Sequence, residues 1–296
     1  MRRIRFIGGP LVAAAGVFLV HSAGISGLQT PPAPGGQAAA QAPAQAPAVP
    51  KPIEPAAPFV PEGFTPLFNG HDLTGWHISS TNHHGTTPAY RVMHGLIVGS
   101  QNPLGQGGIL LTDRKYKNVE LYTEVKPDYG CDSGLFFRSN EAGDAYQVTM
   151  DYLPGGGMGG IYGEGLTGVG GRGNAPAAGR GATPPPASPA TPPPPPVVGG
   201  IPLGSTTPQG TAAWMKAWKR EDWNTVRVRF AGDVPHITVW INDQQITDFT
   251  DTANHAAGGI TEGPIAIQVH GGTRWVPGGL WRWRTIAVKE LPADAK

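Results

Sequence analysis

Three side chains carry the group types needed to move protons and hold a developing negative charge. Asp151 lies on the polar side of "AYQVTMDY" (145–152), and His270 follows "GPIAIQV" on the polar side of its strand. Arg138 closes the apolar run of "CDSGLFFRS" (131–139). A carboxylate and an imidazole can act as general acid and base, the imidazole because a histidine titrates near neutrality. A guanidinium can stabilise an oxyanion. Other roles stay open for each: Asp151 ahead of Pro154-Gly155 suits a turn cap, His270 before Gly271-Gly272 a loop histidine, and Arg138 an ion pair with Asp151. Gln147 and Gln268 share the polar faces of their strands with Asp151 and His270. Glu124 is a further candidate acid, although Glu120 and Lys126 beside it suit a solvated face. Arg282 and Arg284 share a strand face with Ile286 and Val288 in strict alternation, which points one of them inward.

These residues sit on elements with period-two alternation and turn signals. "YRVMHGLIVG" (90–99) reads as a hairpin folded at His94-Gly95. "NVELYTEVK" (118–126) sets Val119, Leu121, Thr123 and Val125 against Glu120, Tyr122, Glu124 and Lys126. "WNTVRVRF" and "HITVWIND" form a later pair, with Asn242-Asp243 as a turn. In "GPIAIQVHGG", Ile265, Ile267 and Val269 oppose Gln268 and His270. Only "AAWMKAWKRED" (212–222) has helical character. Many strands joined by Gly-rich turns predict an all-β antiparallel sandwich. On strand 133–138, Phe136 and Arg138 share the face opposite Leu135 and Phe137. On a concave face Arg138 would be a positioned cation beside an aromatic ring; on an outer face it would be ordinary.

The ordered set "GFTPLFNGHDLTGW" (63–76), "CDSGLFFRS", "DYLPGGGMGGIYGEG" (151–165), "EDWNTVRVRF", "VWINDQQITDF", "GPIAIQVHGG" and "WRWRTIAVKEL" resembles DUF1080, the 3-keto-disaccharide hydrolase domain family. The resemblance implies a concanavalin A-like jelly roll with a sugar site on its concave sheet. It implies a glycoside substrate already oxidised to a ketone at C3, cleaved by elimination and hydration. Asp151 and His270 would be base and acid, and Arg138 would hold the enolate oxygen or a sugar hydroxyl. Glu124, Gln147, Gln268 and Arg284 would bind substrate, and Trp76, Trp275 or Trp281 could stack on a sugar ring. Two departures stand out. The family's Asn-Ser-Gly is Asp132-Ser133-Gly134 here, and its Glu-x-Gln aligns with Tyr146 and Val148, with Gln147 one place off. A one-residue shift changes the face of a side chain, and this favours the rival reading of a non-catalytic, lectin-like carbohydrate-binding module. An ordinary glucanase on this fold is disfavoured, because no Glu-x-Asp-x-x-Glu strand motif is present.

Composition bounds the rest. Lys plus Arg total 22 against 21 Asp plus Glu, which argues against a nucleic-acid surface. A single cysteine, Cys131, permits no internal disulfide. The Arg-rich start and the short apolar run 6–20 predict an export signal over 1–28, and hence a secreted or periplasmic protein. Contact with a membrane would come only through that segment, if uncleaved. Residues 29–58 read as a Pro/Ala-rich linker, and 59–296 as the β-sandwich, interrupted by a Gly/Pro-rich insertion at 170–210. No cofactor motif is present, since the glycine-rich 155–173 follows no strand–helix signal. A divalent metal is weakly indicated by His71, His77, His83, His84 and His94. There is no HExxH spacing, and adjacent histidines on a strand would diverge.

Overall fold

The computed structural model describes residues 59–85, 88–167, 202–204 and 208–296. The predicted export segment and linker, and most of the predicted insertion, lie outside the described residues. In chain order the strands begin with β1 (Thr65–Pro66), β2 (Trp76–Ile78), β3 (Pro88–Met93), β4 (Leu96–Gln101), β5 (Gly108–Tyr116) and β6 (Val119–Val125). Next come β7 (Cys131–Phe137), β8 (Ala145–Tyr152), β9 (Met158–Glu164), β10 (Pro202–Gly204) and the helix α1 (Pro208–Ala217). The chain finishes with β11 (Asn224–Ala231), β12 (His236–Ile241), β13 (Gln244–Thr250), β14 (Gly263–Val269) and β15 (Trp281–Glu290).

They form two sheets. One runs β13-β12-β11-β6-β15-β4-β3, with β1 beside β15; the other runs β10-β9-β8-β7-β14-β5-β2. Every pairing is antiparallel. This is the sandwich that the alternation predicts. Leu121, Val226 and Trp283 from the first sheet meet Leu135, Val148 and Ile267 from the second in one continuous core. Each large apolar side chain buried there stabilises the fold by about 1.5–3 kcal/mol. Both predicted hairpin turns are present, with positive φ at His94 and Gly95 and at Asn242 and Asp243, the backbone that two-residue hairpin loops require.

Strict alternation fails on β15. Trp281 and Trp283 are in the core, but so are Ile286 and Val288. A register shift between Trp283 and Thr285 lies between these pairs. Such a bulge inserts one residue and moves every later side chain to the other face. Arg282 and Arg284 therefore both point outward, contrary to the expectation that one would turn inward. The segment read as an insertion is also shorter than expected: β10 pairs with β9, and the helix begins at Pro208 rather than at residue 212.

Arg138 is the clearest correction. It lies just beyond β7 with φ +47° and is 2 % exposed. Its guanidinium donates to the carbonyls of Gly232 and Asp233 and to Asn254 Oδ1, and stands 5.1 Å from the centre of the Phe230 ring. Asp132, which faces Asp151 across the ladder, is six residues back, ~20 Å along an extended strand. Arg138 and Asp151 therefore cannot pair. The core strand ends on a guanidinium because that group fastens the end of one sheet to the β11–β12 turn of the other. Arg138→Lys keeps the charge and loses the planar fork that serves several acceptors at once. The substitution should destabilise the fold by about 2–4 kcal/mol, read as a fall in the urea midpoint at unchanged slope. A loss under ~1 kcal/mol would show that these bonds are not structural.

Candidate active site

On β7 and β8, Asp132 stands opposite Asp151, Gly134 opposite Thr149 and Phe136 opposite Gln147. Their neighbours Leu135, Phe137, Tyr146, Val148 and Met150 occupy the core. By alternation the first set faces away from the core. β9 sets Tyr162 beside Gln147 and Glu164 beside Ala145 on the same face. The segment after β14 supplies His270 and Arg274. Together these polar side chains line a cleft of about 260 Å³ on the outer face of the seven-stranded sheet. A larger hollow of about 550 Å³ lies between the 232–236 turn and Ala293–Lys296. There, Asp233 is paired with Lys117 and His236 with Asp248, whereas the smaller cleft gathers carboxylates, a cation and an imidazole around one space.

The centre of the cleft is a pair of carboxylates bound by one guanidinium. Arg274 Nε donates to Asp132 Oδ2, and Nη2 donates to Asp151 Oδ2 at 3.0 Å. The backbone reinforces the arrangement: Asp132 N donates to Arg274 O at 3.1 Å, and His270 N donates to Asp132 O at 3.2 Å. Burial, and then the negative Asp132 alongside, push the Asp151 carboxyl well above the usual range; Arg274 offsets only part of this. Asp132 Oδ1 is buried and accepts no hydrogen bond among the described residues. It is the natural acceptor for the proton that Asp151 retains. His270 Nδ1 is 2.6 Å from Gly271 O, a contact that needs the proton on Nδ1 and leaves a lone pair on Nε2. That Nε2 lies 3.8 Å from Asp132 Oδ2. A proton donor, a proton acceptor and a fixed cation thus share one wall.

The amides form a second layer. Gln147 Nε2 donates to Gln268 Oε1 at 3.2 Å, and Gln268 Nε2 contacts His84 Nδ1 at 3.0 Å. Gly134 makes room for this, since a Cβ there would stand 2.3 Å from Gln147 Nε2. Burial, then the neighbouring His83, depress the His84 imidazole to about 3, so it is neutral at ordinary pH. A hydrogen bond to Glu164 raises the His83 imidazole instead.

The structure thus brings together Asp151, His270, Gln147 and Gln268 from the sequence-derived set and separates the others. Glu124 and Arg284 form a two-pronged ion pair on the outer face of the opposite sheet, at 2.6 and 3.0 Å, where Thr285 also donates to Glu124. Trp76, Trp275 and Trp281 are 6 %, 4 % and 0 % exposed, so none can stack on a ligand. The shifted Glu-x-Gln also resolves. Tyr146 and Val148 face the core, and the cleft-facing places are Gln147 and Thr149. These cleft-facing places carry no carboxylate. Sequence reasoning passed over Asp132, Arg274, Tyr162 and Glu164 as site residues, and it had His83 and His84 only among five histidines that weakly indicate a metal. Asp132 was visible as a charged residue in an otherwise apolar stretch; Arg274 had no signal beyond its place shortly after His270.

The 3-keto-alpha-glucoside-1,2-lyase-like domain model matches residues 63–289. No curated protein matches the chain. Among solved structures, a candidate glycosyl hydrolase from Parabacteroides distasonis is 20% identical, with 78% of this chain and 95% of that chain covered at a TM-score of 0.42. A carbohydrate-binding module, CBM66 from Bacillus subtilis, is 12% identical, covering 73% and 96% at 0.42. The exoplasmic/lumenal domain of VIP36, bound to Ca2+ and Man3GlcNAc, is 10% identical, covering 79% and 93% at 0.48. By the match over residues 63–289, the chain belongs to the 3-keto-alpha-glucoside-1,2-lyase-like domain family.

Proposed function

We propose that this protein is an exported enzyme that cleaves 3-keto-glycosides by elimination followed by hydration. The observation that carries the reading is the cluster of Asp132, Asp151, Arg274 and His270 on one wall of the cleft. A ketone at C3 acidifies the C2 proton. His270 Nε2 takes that proton, and the C2–H electrons form the enolate, whose oxygen Arg274 stabilises. The enolate collapses to a C1=C2 double bond and expels the C1 oxygen, which takes the proton held by Asp151. Hydration runs the same steps in reverse. Asp151, now ionised, removes a proton from water as it attacks C1, and the His270 imidazolium returns a proton to C2. Arg274 replaces Arg138 in the role that the family resemblance implies. Export is supported by the Arg-rich start and apolar run of the sequence; a mature N-terminus between Ala23 and Gln29, read by mass spectrometry, would bear it out, and retention of residues 1–20 would sink it.

A second reading has a specific observation behind it. The places that align with the family's Glu and Gln, Tyr146 and Val148, face the core, and the cleft-facing Gln147 and Thr149 carry no carboxylate. This favours a lectin-like module that binds sugar without turnover. The deciding assay follows leaving-group release from a 3-keto-glycoside beside its unoxidised parent. Wild type should act on the ketone alone, and His270→Gln and Asp151→Asn should each lower turnover ~10²-fold or more. Sugar binding without turnover gives the lectin-like reading; equal cleavage of the parent sinks the ketone mechanism.

The carboxylate pair makes an independent prediction about pH. Because its pKa is raised, Asp151 keeps its proton in the folded chain at pH values where an unfolded chain has lost it. Stability therefore falls as pH rises from the ordinary carboxylate range through the raised value. Asp132→Asn removes the like charge and keeps an oxygen for Arg274. Carboxyl ¹³C NMR should show Asp151 titrating lower in that variant by ~1 pH unit or more. An unmoved titration would mean that Asp132 does not set the proton on Asp151.

A further inference from the structure

His83 and His84 do not lie on a strand, as their spacing suggested, but in a turn, and their rings converge to 4.0 Å between centroids. The turn is anchored against the β7–β8 connection: Ser79 Oγ donates to Glu141 O at 2.6 Å, and His83 N donates to Ala142 O at 3.0 Å. This brings both imidazoles to the Glu164 carboxylate. One ligand atom from each of the three residues falls within a group whose members are no more than 4.8 Å apart.

We propose that His83, His84 and Glu164 form a binding site for a divalent transition-metal ion at the edge of the cleft. His83 Nε2 and Glu164 Oε2 are 3.3 Å apart. Two ligands at ~2.0–2.1 Å from a tetrahedral ion are separated by about 3.3–3.4 Å, so this pair already has the required spacing. Bringing in the His84 nitrogen needs an adjustment of roughly 1.5 Å at most, within reach of small side-chain rotations.

The surroundings orient the ligands. His83 Nδ1 is 2.7 Å from Ala142 O, and donation to that carbonyl holds the ring with Nε2 toward Glu164. There a bound ion would take the place of the proton that Nε2 otherwise shares with the carboxylate. An imidazole fixed through its second nitrogen by a backbone carbonyl is the support that metal-ligating histidines use. His84 Nδ1 is 3.0 Å from the Gln268 amide and Nε2 is 3.4 Å from Gly143 O. Ligation through Nε2 gives up that long contact and puts the ring proton on Nδ1, facing the Gln268 amide oxygen after an amide flip. The ring packs edge-on against Phe136 at 5.3 Å. Two imidazoles and one carboxylate suit zinc, cobalt or manganese better than calcium, which prefers oxygen ligands. Three protein ligands also leave a coordination position open.

The site opens on the cleft through Glu164, which belongs to the cluster and to the cleft wall alike. With one carboxylate and two neutral imidazoles, a bound divalent ion leaves a net charge of +1. Its role rests on the elimination reading: the ion would polarise a substrate oxygen, the C3 carbonyl or a neighbouring hydroxyl, and share the enolate charge with Arg274.

Metal binding can be measured apart from turnover. The chain, stripped with chelator and free of affinity tags, is titrated with Zn2+ by calorimetry and with Co2+ by visible absorption. One equivalent of Zn2+ should bind with Kd of ~1 µM or below, and Co2+ should develop the d–d bands of a nitrogen/oxygen site. Glu164→Gln, nearly isosteric, and His83→Ala should each weaken binding ~100-fold or more, while His236→Ala on the opposite sheet leaves it unchanged. Thermal unfolding without metal checks that the variants are folded. Failure of wild type to bind Zn2+ below ~100 µM, or binding that is indifferent to Glu164→Gln and His83→Ala, would overturn the site and make His83–Glu164 an ion pair alone. Tight binding without cleavage of 3-keto-glycosides would keep the site and sink the elimination reading; cleavage without binding would do the reverse.

Discussion

Everything in the cleft depends on two carboxylates forced to face each other. Asp132 and Asp151 are a register pair on neighbouring antiparallel strands, so their Cβ atoms cannot move apart without breaking the ladder. Two negative charges at ladder spacing in a buried place repel strongly, and like charges opposite one another destabilise a sheet. The structure answers in two ways. Arg274 bonds to both carboxylates, and Asp151 holds on to its proton because burial and Asp132 both oppose its ionisation. The same repulsion that costs stability yields a proton donor near neutrality.

Arg274 also explains why the segment after β14 belongs to the site. Its backbone carbonyl accepts from Asp132 N, while Asp132 O accepts from His270 N. Trp275, the next residue, bridges to Cys131 and is buried with its indole N–H donated to Gly279 O. His270 is therefore set by the strand that carries Asp132, and proton donor and acceptor are fixed to one frame. Pre-organisation of this kind keeps the cost of ordering out of the reaction step.

The two other prominent arginines do structural work on similar terms. Arg138 meets backbone carbonyls, where removal of the guanidinium leaves several acceptors unpaired. Arg284 meets Glu124 with two prongs and lies over the Trp223 ring, 4.5 Å from its centre. Both look like site residues in the sequence because a cation beside an aromatic ring serves binding and packing equally well.

The sequence by itself determined the class of fold and the faces of most strands. Period-two burial on β11 and over the first half of β6 follows directly from Val, Leu and Phe alternating with polar residues, and the His94-Gly95 and Asn242-Asp243 turns follow from the positive φ they require. Asp151, His270, Gln147 and Gln268 were legible for the same reason: each is polar on a strand, or at a strand end, whose other face is apolar. What the sequence did not determine is which strands are neighbours. Pairing β7 with β8 and β14 puts Asp132 against Asp151 and brings Arg274 over both; pairing β6 with β11 and β15 sends Glu124 and Arg284 to the far side of the molecule. The bulge on β15 and the turn that folds His83 and His84 together were equally hidden. Local alternation fixes the side of a sheet on which a residue lies, but contacts between distant segments decide which residues share that side.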